Sequence, residues 1–575
     1  MRLLILYGSE TGNAKDYAEM IWRQSGDYGF IGPVLSMNDY NIQNLIQENL
    51  IVFVCSTTGQ GDEPENMKKF WQFLLRRNLP KTSLENLNFA CLGLGDSSYE
   101  FYNYAAKRLK KRLLNLSAKE LIPIGLCDDQ HDHGPGFAAI PWIEELWNKL
   151  ESLYPIKFQK SKKFLSKWVV DECTMNGFND SGRIEDLDKI DESSLEFTVE
   201  KNERATVEGH FQDVRYISFK NEGFKWQCGD VLSIYPSNSQ ENVDKLFQLF
   251  DEHSLPFKRS SIVQFKEVNE EMPLPNYLKN PITIESLATH FWDLSAMPRQ
   301  RVFEVLLLNC DDEMESWKLG EFIKSEGLED VINYVNRPRR TILEVLYDFP
   351  KSVGALTLSQ LVDLFQTISP RSYSIASYPD MSLEILVAIV EYKTKLQDLR
   401  RGLCTTFLKN LKPNDKVYGS IKKGTLKIPS NDTSQPLILI GPGTGFAPFR
   451  SVLLKKESEN LKVPLITFFG CRNKLKDFFY EEDFERFKEN EITTKSFFAF
   501  SRDQENKIYV QHLIEENKSF LREVILEQNA IIYVAGSSGS MPKSVKEAFI
   551  TVLDNDKDYV SAMVKNKRYF EETWS

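Results

Sequence analysis

Apolar residues come in short uninterrupted blocks along the first 150 or so positions of the chain. Residues 3–7, 50–55 and 89–92 are such blocks, and each stops at a loop rich in Gly, Ser or Thr. Between them, residues 66–76 and 105–114 repeat their apolar positions at helical spacing. Strands apolar on both faces, alternating with amphipathic helices, predict a parallel doubly wound sheet. A ligand of such a sheet lies beyond the carboxyl ends of its strands, where these loops fall. This α/β module is expected over residues 1–153.

The alternation then breaks. The basic string Lys160-Ser161-Lys162-Lys163 and a stretch rich in Asn, Gly, Asp and Ser over 176–194 predict a linker covering 154–194. Residues 195–430 are expected to form a β domain carrying a helical insertion at about 240–365. Within it, 196–199, 231–235, 371–376 and 384–392 read as strands, and 241–250 and 356–366 as helices. Alternation returns over 431–575, where 437–440, 464–469 and 531–535 read as strands entering loops. That pattern predicts a second nucleotide-binding α/β domain.

A chain of 575 residues is too long for one core, which agrees with this division. The balance of 71 Lys+Arg against 82 Asp+Glu, a formal charge of −11, excludes the usual profile of a nucleic-acid binder. Surplus acid serves solubility, and it also suits a partner with a basic face. The 8 cysteines contain no C-x-x-C pair, so neither a zinc site nor a dithiol motif is indicated. Reduced thiols and an intracellular compartment are expected. No apolar run approaches membrane-spanning length, so a soluble protein without a membrane anchor is expected, as a monomer.

Three loops at the predicted sheet edge share one chemistry. The first is Gly8-Ser9-Glu10-Thr11-Gly12-Asn13-Ala14, small and hydroxylated at the start of a helix, where backbone N–H groups and the helix dipole favour a phosphate. It lacks the lysine of a nucleoside-triphosphate loop. An ordinary helix cap explains this string alone equally well. The second is Ser56-Thr57-Thr58-Gly59-Gln60-Gly61-Asp62. The third is Leu94-Gly95-Asp96-Ser97-Ser98-Tyr99-Glu100-Phe101-Tyr102-Asn103, in which Tyr99 can stack on a flat ring. Together they resemble the flavodoxin-like FMN domain. A fourth loop, Cys127-Asp128-Asp129-Gln130-His131-Asp132-His133, has metal-ligand residue types. Its likeness to the flavodoxin loop that borders FMN is the preferred reading, with Asp129 beside the cofactor and no metal.

Further along, Arg371-Ser372-Tyr373-Ser374 and Gly402-Leu403-Cys404-Thr405 resemble the paired FAD signatures of ferredoxin–NADP reductases. Arg371 offers a forked cation to a pyrophosphate, Tyr373 a ring to lie against a flavin, and Ser374 a hydroxyl at its N5 edge. Arg339 matches a further arginine that this family places near FAD. Gly441-Pro442-Gly443-Thr444-Gly445 follows a predicted strand and lets backbone approach a pyrophosphate. Ser501-Arg502, then Lys507-Ile508-Tyr509-Val510-Gln511, gather a hydroxyl, two cations and an aromatic ring. That set suits an adenosine 2′-phosphate, whereas a free 2′-hydroxyl calls for a carboxylate, so NADPH is expected over NADH.

In this order the motifs span essentially the whole chain, and it is similar to the diflavin reductases, in particular to their cytosolic NADPH-dependent branch. The resemblance implies an α/β multidomain fold: a flavodoxin-like sheet, then a ferredoxin–NADP reductase-like module with a β-barrel FAD domain and an α/β NADPH domain. It implies electron flow from NADPH through FAD and FMN to a protein acceptor, with the FMN domain moving on its tether. It also implies that Trp574 covers the FAD ring and moves aside for nicotinamide, while Ser374 and Glu572 steer hydride transfer. The acceptor implied is an anamorsin-type Fe–S protein of cytosolic iron–sulfur cluster assembly, and the location cytoplasmic, with secondary association with mitochondria. A soluble reductase for a haem or sulfite-reducing partner, and a flavin-site scaffold with little turnover, remain as alternatives. The chain departs from the usual pattern at Thr58, where many members have an aromatic, at Ala535-Gly536-Ser537 in place of Cys-Gly-Asp, and at Glu572 in place of Asp.

Overall fold

The structure is a computed structural model that describes residues 1–59, 61–99, 101–154, 166–173, 194–308, 310–394, 399–424, 426 and 434–574. Most of the segment expected as a linker, 155–165 and 174–193, lies outside the described residues, as do Gln60 and Glu100. The chain divides into two compact units. One combines the N-terminal module with Gln240–Thr367, and the other combines 194–239, Ile368–Lys393 and 399–574.

In the first unit, strands β1 (Leu4–Gly8), β2 (Val34–Ser36), β3 (Leu50–Ser56), β4 (Asn88–Gly95), β5 (Lys119–Glu120) and β6 (Gly125–Asp128) form a parallel sheet. Its order is β2-β1-β3-β4-β5, with β6 also pairing β4. That is the doubly wound arrangement with its switch point between β1 and β3. Alternate residues of each strand enter different cores. Ile5, Val52, Val54 and Leu92 pack under helices α1 (Asn13–Ser25) and α4 (Gly136–Leu153). Leu4, Leu6, Phe53 and Phe89 pack under α2 (Lys68–Leu74) and α3 (Tyr104–Asn115). Burial on both faces is why these strands read as unbroken apolar runs.

Gln240–Thr367 is mainly helical, but Ile262–Glu267 is a strand. It pairs antiparallel with Trp168–Cys173, inside the segment expected to be a linker.

In the second unit, six antiparallel strands run in spatial order Arg371–Ser374, Val231–Tyr235, Lys416–Lys422, Leu195–Arg204, Val214–Phe219 and Leu383–Ala388. A bridge between Ile375 and Ile385 joins the two end strands and closes the sheet into a barrel. Phe197, Ile217, Phe219, Leu232, Ile234 and Val387 fill it. A second large sheet of this unit is parallel and five-stranded, in spatial order Lys495–Phe500, Leu465–Cys471, Leu437–Pro442, Ile531–Ser537 and Tyr569–Trp574. The last of these makes the chain's terminal segment an edge strand, with Glu572 opposite Ala535 and Trp574 opposite Ser537.

Candidate functional site: three nucleotide cradles

Because β1, β3, β4 and β6 are parallel, the loops leaving Gly8, Ser56, Gly95 and Asp128 all open at one edge of the sheet. The first loop is shaped from within. Gly12 sits at φ 92°, a left-handed conformation suited to glycine, and precedes α1. Its N–H donates to Ser9 Oγ at 3.0 Å, and the Ser9 N–H donates to Asn66 Oδ1 at 2.8 Å. Glu10 Oε2 accepts the Glu65 N–H at 3.3 Å, which ties this loop to the one after β3. No side chain caps α1, Ala14 is buried, and Thr11 and Asn13 are exposed. An uncapped helix start beside two hydroxyl side chains fits a phosphate.

The second loop is fastened to the third. The Thr57 N–H donates to the Leu94 carbonyl at 3.0 Å, and Thr57 Oγ1 accepts the Ala105 N–H at 3.2 Å. Ser56 Oγ donates to the Gly8 carbonyl at 3.4 Å. Thr58 pairs with Asp62 across a tight turn, and Gly59 is exposed. A Cβ on Gly61 would come within 2.7 Å of Phe101 Cβ, so the turn lies directly on that ring.

In the third loop, Asp96 Oδ1 accepts the Ser98 N–H at 2.8 Å and Asp128 Oδ1 accepts the Ser97 N–H at 2.9 Å. Burial raises the Asp128 carboxyl, but hydrogen bonds from Ser97 and Gln130 and the charge of His131 outweigh it, leaving the net shift downward. Asp129 moves upward, through burial and the charges of Asp96 and Asp128. Tyr99 is exposed. Tyr102 donates to the Leu126 carbonyl at 3.1 Å. Asn103 is fully buried at φ 54° and donates to the Cys127 carbonyl at 3.0 Å, which makes it a brace behind the loop. Among the described residues no group of His, Cys, Asp and Glu could hold a metal ion.

The two strings expected at FAD come together in the barrel. Arg371–Ser374 pairs antiparallel with Val231–Tyr235, Ser374 standing opposite Val231. The Tyr373 hydroxyl donates to Cys404 Sγ at 3.3 Å, joining this strand to the helix Leu403–Asn410. Burial, softened by that hydrogen bond, pushes the Cys404 thiol up to about 11. Gly402 precedes the helix where a Cβ would meet Thr405 Oγ1 at 2.8 Å, and Thr405 Oγ1 accepts the Val390 N–H. Arg371 and Ser372 are exposed, and Arg371 Nη1 donates to the Ser369 and Pro370 carbonyls at 3.0 and 3.3 Å. Arg339 belongs to the first unit, where it donates to Met297 Sδ at 3.8 Å and its charge bears on Asp129.

At the third cradle, glycines allow a backbone approach that side chains would block. A Cβ on Gly445 would lie 2.2 Å from the Ala535 carbonyl, and one on Gly441 would lie 2.7 Å from the Gly445 carbonyl. Thr444 stands half-buried between them. Ser501 is buried, and Arg502 Nη1 donates to its carbonyl at 2.9 Å. The Tyr509 phenol is shifted downward by a hydrogen bond from Arg502 and by the charges of Arg502, Lys507 and Arg472. Arg472, on the loop after Leu465–Cys471, stands 3.6 Å from the centre of the Phe211 ring. It is a third cation that the sequence reading passed over. The available signal was its position just past a parallel strand neighbouring the glycine-rich one. Ile508 is half-buried, Val510 is buried, and Gln511 lies on the helix Val510–Glu516.

The terminal strand completes this unit. Glu572 Oε2 accepts the Leu426 N–H at 3.2 Å, and the Ser538 N–H donates to the Trp574 carbonyl at 2.8 Å. Trp574 keeps 38% of its surface exposed. Arg450 pins the parallel sheet to the barrel. It is buried, bonds Asp483 at 2.5 Å and the Ala376 carbonyl at 3.1 Å, pairs with Glu384, and lies over the Tyr480 ring.

Family models match the chain in this same order: Flavodoxin over residues 5–138, FAD binding domain over 194–407, and Oxidoreductase NAD-binding domain over 439–547. A flavodoxin module followed by FAD- and pyridine nucleotide-binding modules defines an electron-transfer flavoprotein with two flavins. The chain is 40% identical to NADPH-dependent diflavin oxidoreductase 1 of Danio rerio, 36% to that of Schizosaccharomyces pombe and 35% to that of Mus musculus. Each match covers 100% of this chain and 99% of the relative. The chain belongs to the NADPH-dependent diflavin oxidoreductase family. It is an oxidoreductase with FMN, FAD and NADPH as cofactors, built as a flavodoxin module followed by a ferredoxin–NADP reductase-like module. No helix among the described residues is long and apolar enough to cross a membrane.

Proposed function

We propose that this enzyme moves electrons from NADPH to an anamorsin-type Fe–S protein that serves cytosolic iron–sulfur cluster assembly. When bound, the flavins supply the change from two-electron to one-electron chemistry that such an acceptor requires. The chain's own residues bind, orient and shield. Ser9, Thr11 and the N–H groups of Asn13 and Ala14 would hold the FMN phosphate, and the loops carrying Ser56, Thr57, Thr58 and Gly59, Gly95–Tyr99, Phe101–Asn103 and Asp129 would border its ring system. Arg371, Ser372, Tyr373 and the 402–405 turn would hold FAD. Thr444 receives the NADPH pyrophosphate, and Ser501, Arg502, Lys507 and Tyr509 receive the 2′-phosphate, with Ile508, Val510 and Gln511 completing the pocket. Ser374 and Glu572 would orient the nicotinamide end, and Trp574 would shield the FAD ring. The location that goes with this reading is the cytoplasm, with secondary association with mitochondria. Eight unpaired thiols suit that reducing compartment.

The observation that carries the donor side of this reading is the convergence of Arg502, Lys507 and Arg472 on Tyr509, since a cation cluster around an aromatic is what a 2′-phosphate on adenosine needs. The acceptor side is tested by anaerobic stopped-flow. Full-length protein loaded with both flavins, plus NADPH, is mixed in turn with an anamorsin-type Fe–S protein, a c-type cytochrome and a sulfite reductase haem subunit. The reading expects the Fe–S protein to be reduced at least tenfold faster than either haem protein. A haem protein reduced faster than the Fe–S protein transfers the assignment to the soluble haem or sulfite-type reductases.

A further inference from the structure

Arg299 stands at the start of the helix Gln300–Leu308 in the helical insertion, nearly 290 residues from the loop it touches. Its Nη1 donates to the Gly12 carbonyl at 2.6 Å, and Nη2 reaches the Thr11 carbonyl at 3.4 Å. The guanidinium lies across Gly12 itself, for a Cβ there would stand 3.1 Å from Nη2. So the glycine serves twice, once for its left-handed φ of 92° and once to admit the arginine.

This contact differs from the other ion pairs nearby. Asp16 lies 3.7 Å from Arg299 Nη1, and Arg301 and Lys167 both pair with Glu19. Those are side-chain pairs along the flank of α1. Arg299 alone among them grips the backbone of the loop that precedes α1. The Gly12 carbonyl belongs to the same peptide group as the Asn13 N–H, the first N–H of the helix. A cation on that carbonyl polarises the peptide and strengthens the N–H as a donor. The same carbonyl accepts the Asp16 N–H at 3.0 Å, so its direction is fixed between helix and arginine. On the other side, Asn66 and Ser9 hold the loop at 2.8 and 3.0 Å. With Arg299 removed, one of these two braces is gone.

We propose that Arg299, supplied by the helical insertion, is a positioning residue for FMN: it fixes and polarises the phosphate loop without being part of the flavodoxin module. The inference rests on FMN occupying the 8–14 loop. Binding is then reciprocal, since whatever draws Arg299 onto the loop tightens FMN, and FMN favours the loop conformation that Arg299 holds.

The test uses full-length protein stripped of FMN but retaining FAD, titrated with FMN by flavin fluorescence. Arg299→Ala is expected to raise the FMN Kd about tenfold, the scale of one charge-assisted hydrogen bond. Arg299→Lys, which keeps the charge but loses the fork, is expected to recover part of that loss, and FAD content stays unchanged in both. Glu271→Ala, which breaks the Arg2–Glu271 pair between the same module and insertion, is expected to keep the wild-type FMN Kd. A wild-type Kd in Arg299→Ala overturns the proposal, and so does an equal loss in Glu271→Ala. Ser9→Ala separates the two layers. If it weakens FMN while Arg299→Ala does not, only this inference fails; if neither does, the placement of FMN at this loop fails first.

Discussion

Replacing Arg502 by alanine separates phosphate recognition from everything else this enzyme does. The guanidinium bonds Tyr509 and the Ser501 carbonyl, and with Lys507 and Arg472 it draws the phenol downward. A hydrogen bond to a charged group contributes about 1.5–3 kcal/mol, which is a factor of roughly 10 to 150 in binding. The lower half of that range applies here, because Arg502 is exposed and salt screens it, and because two cations remain. We therefore expect kcat/KM for NADPH to fall about 10- to 30-fold in Arg502→Ala, with kcat nearly unchanged. NADH has no 2′-phosphate, and its kcat/KM is expected to stay within about twofold. The assay is steady-state turnover with a small one-electron acceptor in excess, at fixed ionic strength, with both nucleotides. Arg472→Ala is expected to show the same pattern more weakly, because that side chain is already committed to the Phe211 ring. A selectivity ratio unchanged by Arg502→Ala, or an equal fall for NADH, refutes the placement of the phosphate here.

Three further outcomes follow from the same geometry. Gly61→Ala puts a Cβ at φ 89° and within 2.7 Å of Phe101, so it is expected to cost about 1–2 kcal/mol and to lower the FMN:FAD ratio measured after acid release of the flavins. Arg450→Ala removes the pairs to Asp483 and Glu384, while Asp483 keeps Arg486, and is expected to destabilise the barrel–sheet unit by about 2 kcal/mol, read as a shifted calorimetric transition. Burial pushes the Asp363 carboxyl up to about 6, against the opposing effects of Ser166, Arg301 and Arg23. A raised carboxyl favours the folded state below its unfolded pKa, and that contribution is lost as pH rises through about 6. Asp363→Asn is therefore expected to stabilise the protein at pH 7 relative to pH 5 by about 1–2 kcal/mol compared with wild type, and equal shifts at both values contradict the assignment.

The parts of the fold written as long apolar runs were legible in the sequence, because a strand buried on both faces has no other reason for that pattern. β1, β3 and β4 come out within a residue or two of their expected bounds or extend a little beyond them. The short strands were not legible. β2 and β6 hold only a few residues each, and their partners lie far along the chain. Trp168–Cys173 was hidden inside a polar segment because its partner, Ile262–Glu267, sits in a region read as helical. The terminal strand Tyr569–Trp574 carries Glu571 and Glu572, and an edge strand with polar side chains gives little periodic signal. At the cradles, the glycines and hydroxyls stood out because their spacing follows strand ends. Arg472 and Asn66 did not, since each is a single polar residue whose role depends on tertiary placement.

The most direct test of the whole account is flavin stoichiometry followed by anaerobic NADPH titration of the purified full-length chain. The account predicts one FMN and one FAD per polypeptide, both bleached by NADPH, with Ser9→Ala depleting FMN and Arg371→Ala depleting FAD selectively. A chain that carries a single flavin when both are supplied, or whose two flavins are lost together in either variant, contradicts it.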